Sequence, residues 1–207
     1  MWEKYIIKDN FLKKEHLLKI SNIKFDTKAN EWDIYKHKIY KDGKIERSFL
    51  SSSGKKRNLP LSESDIRDIH ETYHKYVWNC LKKLNNKKLQ YYRFTELNVI
   101  TTGKNYVFPI HNDSRDKLLS IVVYLSPKKN EGTWLYDDKT GKNAIQMEWK
   151  KNRAFIFSRN EETWHSYKSD GINSRLTLVY NLRSGLNPPK EKWNFIKRIL
   201  RNYHLKG

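Results

Sequence analysis

A histidine, an aspartate and a second histidine stand at His111, Asp113 and His165. These residue types in this order can hold iron(II). Two imidazoles and one carboxylate take one face of such an ion and leave positions open for substrate and oxygen. Residues two apart on a strand point to the same side, so His111 and Asp113 can reach one ion from a strand end. His165 follows 52 residues after Asp113, with four strand-like runs between them. In a jelly roll that is about the chain needed to return beside the first strand. Arg175 comes ten residues after His165, and Thr177 shares its strand face. A guanidinium fork matches a carboxylate bidentately, and a hydroxyl adds a third bond. The pair suits the distal carboxylate of a bound dicarboxylic keto acid.

The elements that must carry these residues are short and β-rich. After residue 88 the apolar period changes to two, which reads as strands. Strand-like runs cover 90–99, 105–110, 118–125, 132–136, 144–149, 153–157, 163–168 and 175–182. Turn signals at Thr102-Gly103, Ser126-Pro127, Asp137-Asp138, Gly141 and Asp170-Gly171 separate them. Eight short strands at this spacing predict a mainly β chain with supporting helices, an α+β fold around a double-stranded β-helix (jelly-roll or cupin-like) core. A core at about 90–183 within one domain, 1–207, is the expected organisation.

Upstream, 9–22 reads as a short helix capped by Asp9 or Asn10. Residues 31–50 read as a hairpin around Asp42-Gly43. The segment Ser51–Asn58 is polar, either a lid or a solvated loop. Helix 62–85 is the clearest. Ser62 and Asp65 resemble a capping box, and Ile66, Ile69, Tyr73, Val77, Cys80 and Leu84 keep the helical period. Cys80 is then a buried small hydrophobe. After Pro188-Pro189, 190–205 reads as a basic amphipathic helix.

Composition narrows the class. No 18-residue apolar run exists, so no membrane span is expected. Glu3, Lys4, Lys8 and Asp9 interrupt any signal-peptide run. One cysteine, Cys80, excludes an intrachain disulfide and a thiolate cluster. A reducing cytoplasm is the expected compartment. The net charge is +19, which keeps nucleic acid open as a partner. Yet 31 Lys stand against 11 Arg, beside 19 Asn, and the basic residues are spread along the chain. That pattern fits a Lys-rich surface and AT-rich coding better than an arginine-based base reader.

The order of these residues resembles a known family. Asn98, Gly103 and Tyr106 lead into His111-Asn112-Asp113. Leu118–Ser126, Gly132–Tyr136, Asn152–Phe157, Trp164-His165 and Arg175–Tyr180 follow in turn. The stretch 94–182 resembles the catalytic core of the iron(II)/2-oxoglutarate dioxygenases, in the style of the prolyl 4-hydroxylase-like members. Residues 7–12 are similar to the usual lead-in of these hydroxylases. The resemblance implies iron(II) on His111, Asp113 and His165. It also implies 2-oxoglutarate held by Arg175, Thr177, Asn98 and Tyr106. The implied reaction decarboxylates 2-oxoglutarate to succinate and carbon dioxide and hydroxylates a protein or peptide residue, with proline the first candidate. A nucleic-acid-modifying oxygenase of the same superfamily is the nearest alternative. The run Arg175–Arg183 departs from the two-arginine spacing of the nucleic-acid demethylases.

A second metal motif competes. His70-Glu71-Thr72-Tyr73-His74 spells H-E-x-x-H on the 62–85 helix, the arrangement of a zinc peptidase with Glu71 as general base. No Gly-x-x-His follows His74, and Glu96, the nearest later carboxylate at plausible range, falls in a strand-like run. The bland reading makes His70 and His74 a half-buried helix edge.

Overall fold

From residue 94 to residue 183 the chain passes back and forth between two sheets, with one hairpin kept inside the smaller. The computed structural model of the chain describes residues 4–185. Strands β1 (Tyr5–Lys8), β2 (Trp32–Tyr40), β3 (Ile45–Ser51), β4 (Phe94–Thr102) and β5 (Val107–His111) are followed by β6 (Lys117–Ser126), β7 (Trp134–Tyr136) and β8 (Ile145–Gln146). β9 (Ala154–Phe157), β10 (Trp164–Lys168) and β11 (Arg175–Arg183) complete them. One sheet runs β1-β9-β6-β11-β4-β2-β3 and the other β5-β10-β7-β8, with every pairing antiparallel. β4, β6, β9 and β11 belong to the larger sheet; β5, β7, β8 and β10 belong to the smaller. That alternation is the double-stranded β-helix expected from the period-two runs.

The larger sheet uses its period of two to serve two environments. Leu97, Val99, Ile121, Val123, Leu176, Leu178 and Tyr180 are buried in one core with Ile66, Ile69, Val77 and Leu81 of α2 (Glu63–Asn85). The alternate residues face the smaller sheet. In register they form rows across β6, β11, β4 and β2. One row is Ser120, Asn181, Glu96 and Lys38. The next is Val122, Val179, Asn98 and Lys36, and a third is Tyr124, Thr177, Ile100 and Ile34. Arg175, Thr102 and Trp32 make the last. Between the sheets, Tyr124, Leu135, Met147, Trp149, Phe155 and Phe157 form a second cluster.

Local signals explain most boundaries. Ser62 and Asp65 form a complete capping box on α2, and Cys80 is buried and free. Gly103 ends β4 where a Cβ would run into the Lys28 and Ala29 carbonyl oxygens, so only glycine permits this close approach. Two expectations need correction. Helix α1 spans Lys14–Ser21, with Lys13 at its N-cap and no side-chain cap. Asp9 cannot cap it because Arg153 and Lys150 hold its carboxylate at 2.6 and 2.7 Å. The strand expected from residue 90 begins at Phe94, because Asn86–Tyr91 wind as a 3₁₀ turn after α2. The segment Ser51–Asn58 is the solvated loop of the two readings, mostly exposed, with Lys55 and Arg57 both paired with Asp26. The helix expected at 190–205 lies outside the described residues.

His37 gives the fold an acid-sensitive point. It is fully buried on β2, its Nδ1–H donates to the Leu97 carbonyl at 3.1 Å, and its Nε2 has no partner. Burial pushes its pKa down to about 4. The folded state therefore binds this proton less readily than the unfolded chain. The stability it permits is full above the unfolded pKa of about 6.5 and is lost as pH falls towards 4. H37L is expected to raise Tm more at about pH 5 than at about pH 8. Parallel melting curves for wild type and H37L against pH check this, and an equal shift at both values would refute it.

Candidate functional site

Sheet register brings the two distant histidines together. β5 and β10 pair antiparallel with His111 directly opposite His165, and a register shift follows between His165 and Tyr167. The ring centroids are 4.2 Å apart. Asp113 lies just past the end of β5. One ligand atom from each of His111, Asp113 and His165 falls within 4.8 Å of the others, and among the described residues no other such trio forms.

The protonation of this trio suits a metal. His111 Nδ1 lies 2.9 Å from the Pro109 carbonyl, and His165 Nδ1 lies 3.0 Å from the Thr163 carbonyl. A carbonyl only accepts, so each Nδ1 carries the proton and each Nε2 keeps its lone pair. Burial pushes the pKa of both rings down, His165 to about 4, against the pull of Asp113. Burial alone would raise the Asp113 pKa. Lys117 at 2.6 Å, nearby His165 and the Ser120 hydroxyl at 2.6 Å outweigh it and hold the carboxyl below the usual range. Two neutral imidazoles beside one carboxylate are the state in which these residues bind a divalent metal.

The trio opens into a cavity of about 540 Å³ between the two sheets. Arg175 lines the same cavity from β11 and is 2% exposed. Its guanidinium carbon stands 3.9 Å from the Tyr167 ring centroid and 4.9 Å from that of Trp149. Its Nε and Nη1 are buried and have no partner. A buried charged donor without an acceptor costs more than an ordinary hydrogen bond contributes. Such a fork calls for an anion that none of the described residues supplies. Thr177 is the next cavity-facing residue on β11, directly across from Tyr124. Trp149 is buried and Tyr167 half-buried, and desolvation pushes the Tyr167 hydroxyl up to about 12, so it stays protonated.

The other two expected contacts, Tyr106 and Asn98, line the same cavity. The Tyr106 ring lies 5.9 Å from that of Tyr167, which itself packs on Arg175. Asn98 is two rows from Arg175, about 13 Å along the strand. Its amide donates instead to Glu96 at 2.9 Å. Glu96 is a wall residue that sequence reading missed as part of this site. It is 2% exposed and bound by Lys36 at 2.8 Å, Arg183 at 3.2 Å, Asn98 and Asn181. Burial opposes its charge, yet these partners hold its pKa down at about 2. Polar residues at period two on a central strand were the available signal. Ser120, Lys117, Tyr124, Trp149 and Tyr167 left none, because only the register places them.

No protein-family model matches the sequence, and no curated protein matches it. Solved structures do match. One is a Trichoplax adhaerens prolyl hydroxylase in complex with a hypoxia inducible factor oxygen degradation domain peptide fragment. It has TM-score 0.56 and 13% identity over 87% of this chain and 84% of that one. A Pseudomonas putida prolyl-4-hydroxylase matches at 0.53 and 12%, over 87% and 92%. A 2OG-Fe(II) oxygenase family oxidoreductase from Burkholderia pseudomallei matches at 0.54 and 15%, over 89% and 87%. The chain has the fold of the iron(II)/2-oxoglutarate oxygenases. At these identities the likeness concerns fold, and the chemistry rests on the side chains.

The H-E-x-x-H motif lies on the other side of the larger sheet. His70 and His74 stack 4.5 Å apart on α2, and Nε2 of His70 is 3.2 Å from the Thr95 hydroxyl. His74 Nδ1 approaches the Tyr180 hydroxyl at 3.4 Å. Among the described residues no third His, Cys, Asp or Glu joins them as a ligand trio. Glu96 follows Thr95 on β4 and so faces the cavity instead. H70A and H74A are each expected to leave bound iron unchanged by elemental analysis. Iron lost in either variant would contradict this.

Proposed function

We propose that the chain is one domain acting as an iron(II)- and 2-oxoglutarate-dependent dioxygenase that hydroxylates a residue of a protein or peptide. One juxtaposition carries the reading: two Nε2 lone pairs and a carboxylate share a cavity with a buried guanidinium whose Nε and Nη1 have no partner among the described residues. His111, Asp113 and His165 would hold the metal, and Arg175 with Thr177 would hold the distal carboxylate of the keto acid. When bound, iron and 2-oxoglutarate supply oxidative decarboxylation to succinate and carbon dioxide, coupled to oxygen insertion into a substrate C–H bond.

The chain's own residues bind and orient. Ser120 holds one Asp113 oxygen and Lys117 the other, and the oxygen facing His165 would be the one to bind the metal. Tyr167 and Trp149 clamp the guanidinium plane so that its fork faces one direction. Val122, Val179, Ile100 and Phe157 line the cavity with apolar surface and limit water. Tyr106 belongs to the wall at the keto-acid end.

A peptide or protein is the substrate class we favour, since the Trichoplax neighbour was solved with a peptide. Nucleic acid is the alternative that the charge of +19 raises. The test is succinate formation that requires iron(II) and 2-oxoglutarate and rises with added peptide, which gains the mass of one oxygen atom. Salt-sensitive stimulation by an oligonucleotide instead would move the reading to nucleic acid. Proteolysis dependent on zinc and indifferent to keto acid would replace it.

A further inference from the structure

The wall of the cavity carries a second unmet demand, of opposite sign to that of Arg175. Asn98 is 8% exposed and Asn181 fully buried, and both line the cavity. Each donates its amide N–H to the same Glu96 oxygen, at 2.9 and 3.1 Å. A carboxylate only accepts, so Glu96 fixes both amides with nitrogen towards itself and oxygen away. Both Oδ1 atoms are buried and accept no hydrogen bond. Two oriented, desolvated acceptors are thus left for a donor that none of the described residues supplies.

Their place is the metal end of the cavity. Asn181 stands directly across from Ser120, whose hydroxyl holds Asp113. Cross-strand neighbours lie about 5 Å apart. Asn98 stands across from Val179, and Val179 from Val122. An incoming group would therefore meet the two asparagine side chains beside two valines, close to the metal ligands, and the wall must shift slightly to bare their covered oxygens.

We propose that Asn98 and Asn181, oriented by Glu96, form a substrate subsite that reads a neutral N–H donor. A primary carboxamide on a short apolar stem, as in an asparagine or glutamine residue, is the class it fits. This inference rests on the oxygenase reading and names its substrate. The methylenes of such a side chain meet Val122 and Val179, and its two N–H groups meet the two oxygens. Charge selects against a cation. The ionic lining counts four cations (Lys36, Lys117, Arg175 and Arg183) against two carboxylates, Glu96 and Asp113, and iron(II) with dianionic 2-oxoglutarate adds nothing net. A proline ring offers no N–H at all, so it would leave both oxygens unmet.

The test is anaerobic binding, where no turnover intervenes. Wild type loaded with iron(II) and 2-oxoglutarate is titrated with blocked glycine pentapeptides centred on asparagine, glutamine, proline, leucine or lysine, and with a mixed-sequence single-stranded oligonucleotide. Tryptophan fluorescence reports binding, and the visible iron–keto-acid band reports the loaded site. Asparagine or glutamine peptides are expected to bind about tenfold or more tighter than the proline peptide, with lysine weakest. N98L and N181L are each expected to erase that preference while keeping the visible band. Should either leucine variant lose the band, N98S and N181S take its place in the same titration.

Equal or tighter binding of the proline or leucine peptide overturns the proposal. So does preference for the oligonucleotide, binding of no peptide, or a preference that survives both variants. Absence of the visible band in wild type strikes the oxygenase reading instead, which keeps the two failures apart.

Discussion

Replacing His111 by alanine is expected to abolish the visible band that iron(II) and 2-oxoglutarate give together under anaerobic conditions, and with it all succinate formation. The ring is half-buried and touches Phe108, with ring centroids 4.1 Å apart, and the Pro109 carbonyl. Its loss should cost the fold about 1 kcal/mol. Its loss should cost the metal far more. Partners that merely orient a ligand are worth 10–100-fold in affinity, and His111 would itself be the ligand, so a decrease of at least about 100-fold is expected. The expected pattern is a wild-type band, no band in H111A, and melting curves that nearly coincide without metal. A band that persists in H111A would put the iron elsewhere. No band in wild type would remove the oxygenase reading altogether.

What the sequence made legible was whatever depends on periodicity and on short spacing. The eight runs after residue 88 each correspond to a strand, and every connection but the β7–β8 hairpin carries the chain from one sheet to the other. Ser62 and Asp65 announced α2 because a capping box is a local device. His111 and His165 could be paired on paper because a jelly roll returns the chain at a known length. Asp9 shows the opposite case. It looked like a helix cap until Arg153 and Lys150, more than 140 residues away, claimed it. The Glu96 network is similar. Glu96, Asn98, Asn181, Arg183 and Lys36 come from three strands, and only the register makes them neighbours. No local pattern says that a carboxylate in a central strand will meet two cations and two amides. Asn98 was noticed for its place ahead of His111, yet the structure separates it from Arg175 by two rows.

Arg175 offers a substitution in which stability and function should move in opposite directions. R175L is expected to raise the Tm of the protein free of metal and keto acid, and to weaken 2-oxoglutarate binding roughly 100-fold or more. The guanidinium is 2% exposed with two unpartnered nitrogens, and burial already pushes its pKa below the usual arginine value. Its contacts with Tyr167 and Trp149 return up to about 2 kcal/mol. Desolvating an uncompensated ion costs several. Leucine removes the charge and keeps apolar contact with both rings, for a net gain of about 1–3 kcal/mol. In a chain of this size that is a rise of roughly 2–8 °C. Keto acid should raise the Tm of iron-loaded wild type and leave that of R175L unmoved. R175K separates charge from geometry. A lysine keeps the buried cation without the fork, so it should recover part of the affinity and none of the stability. If R175L instead melts lower than wild type, or still shifts with 2-oxoglutarate, Arg175 is a structural residue and the anion it lacks is not the keto acid.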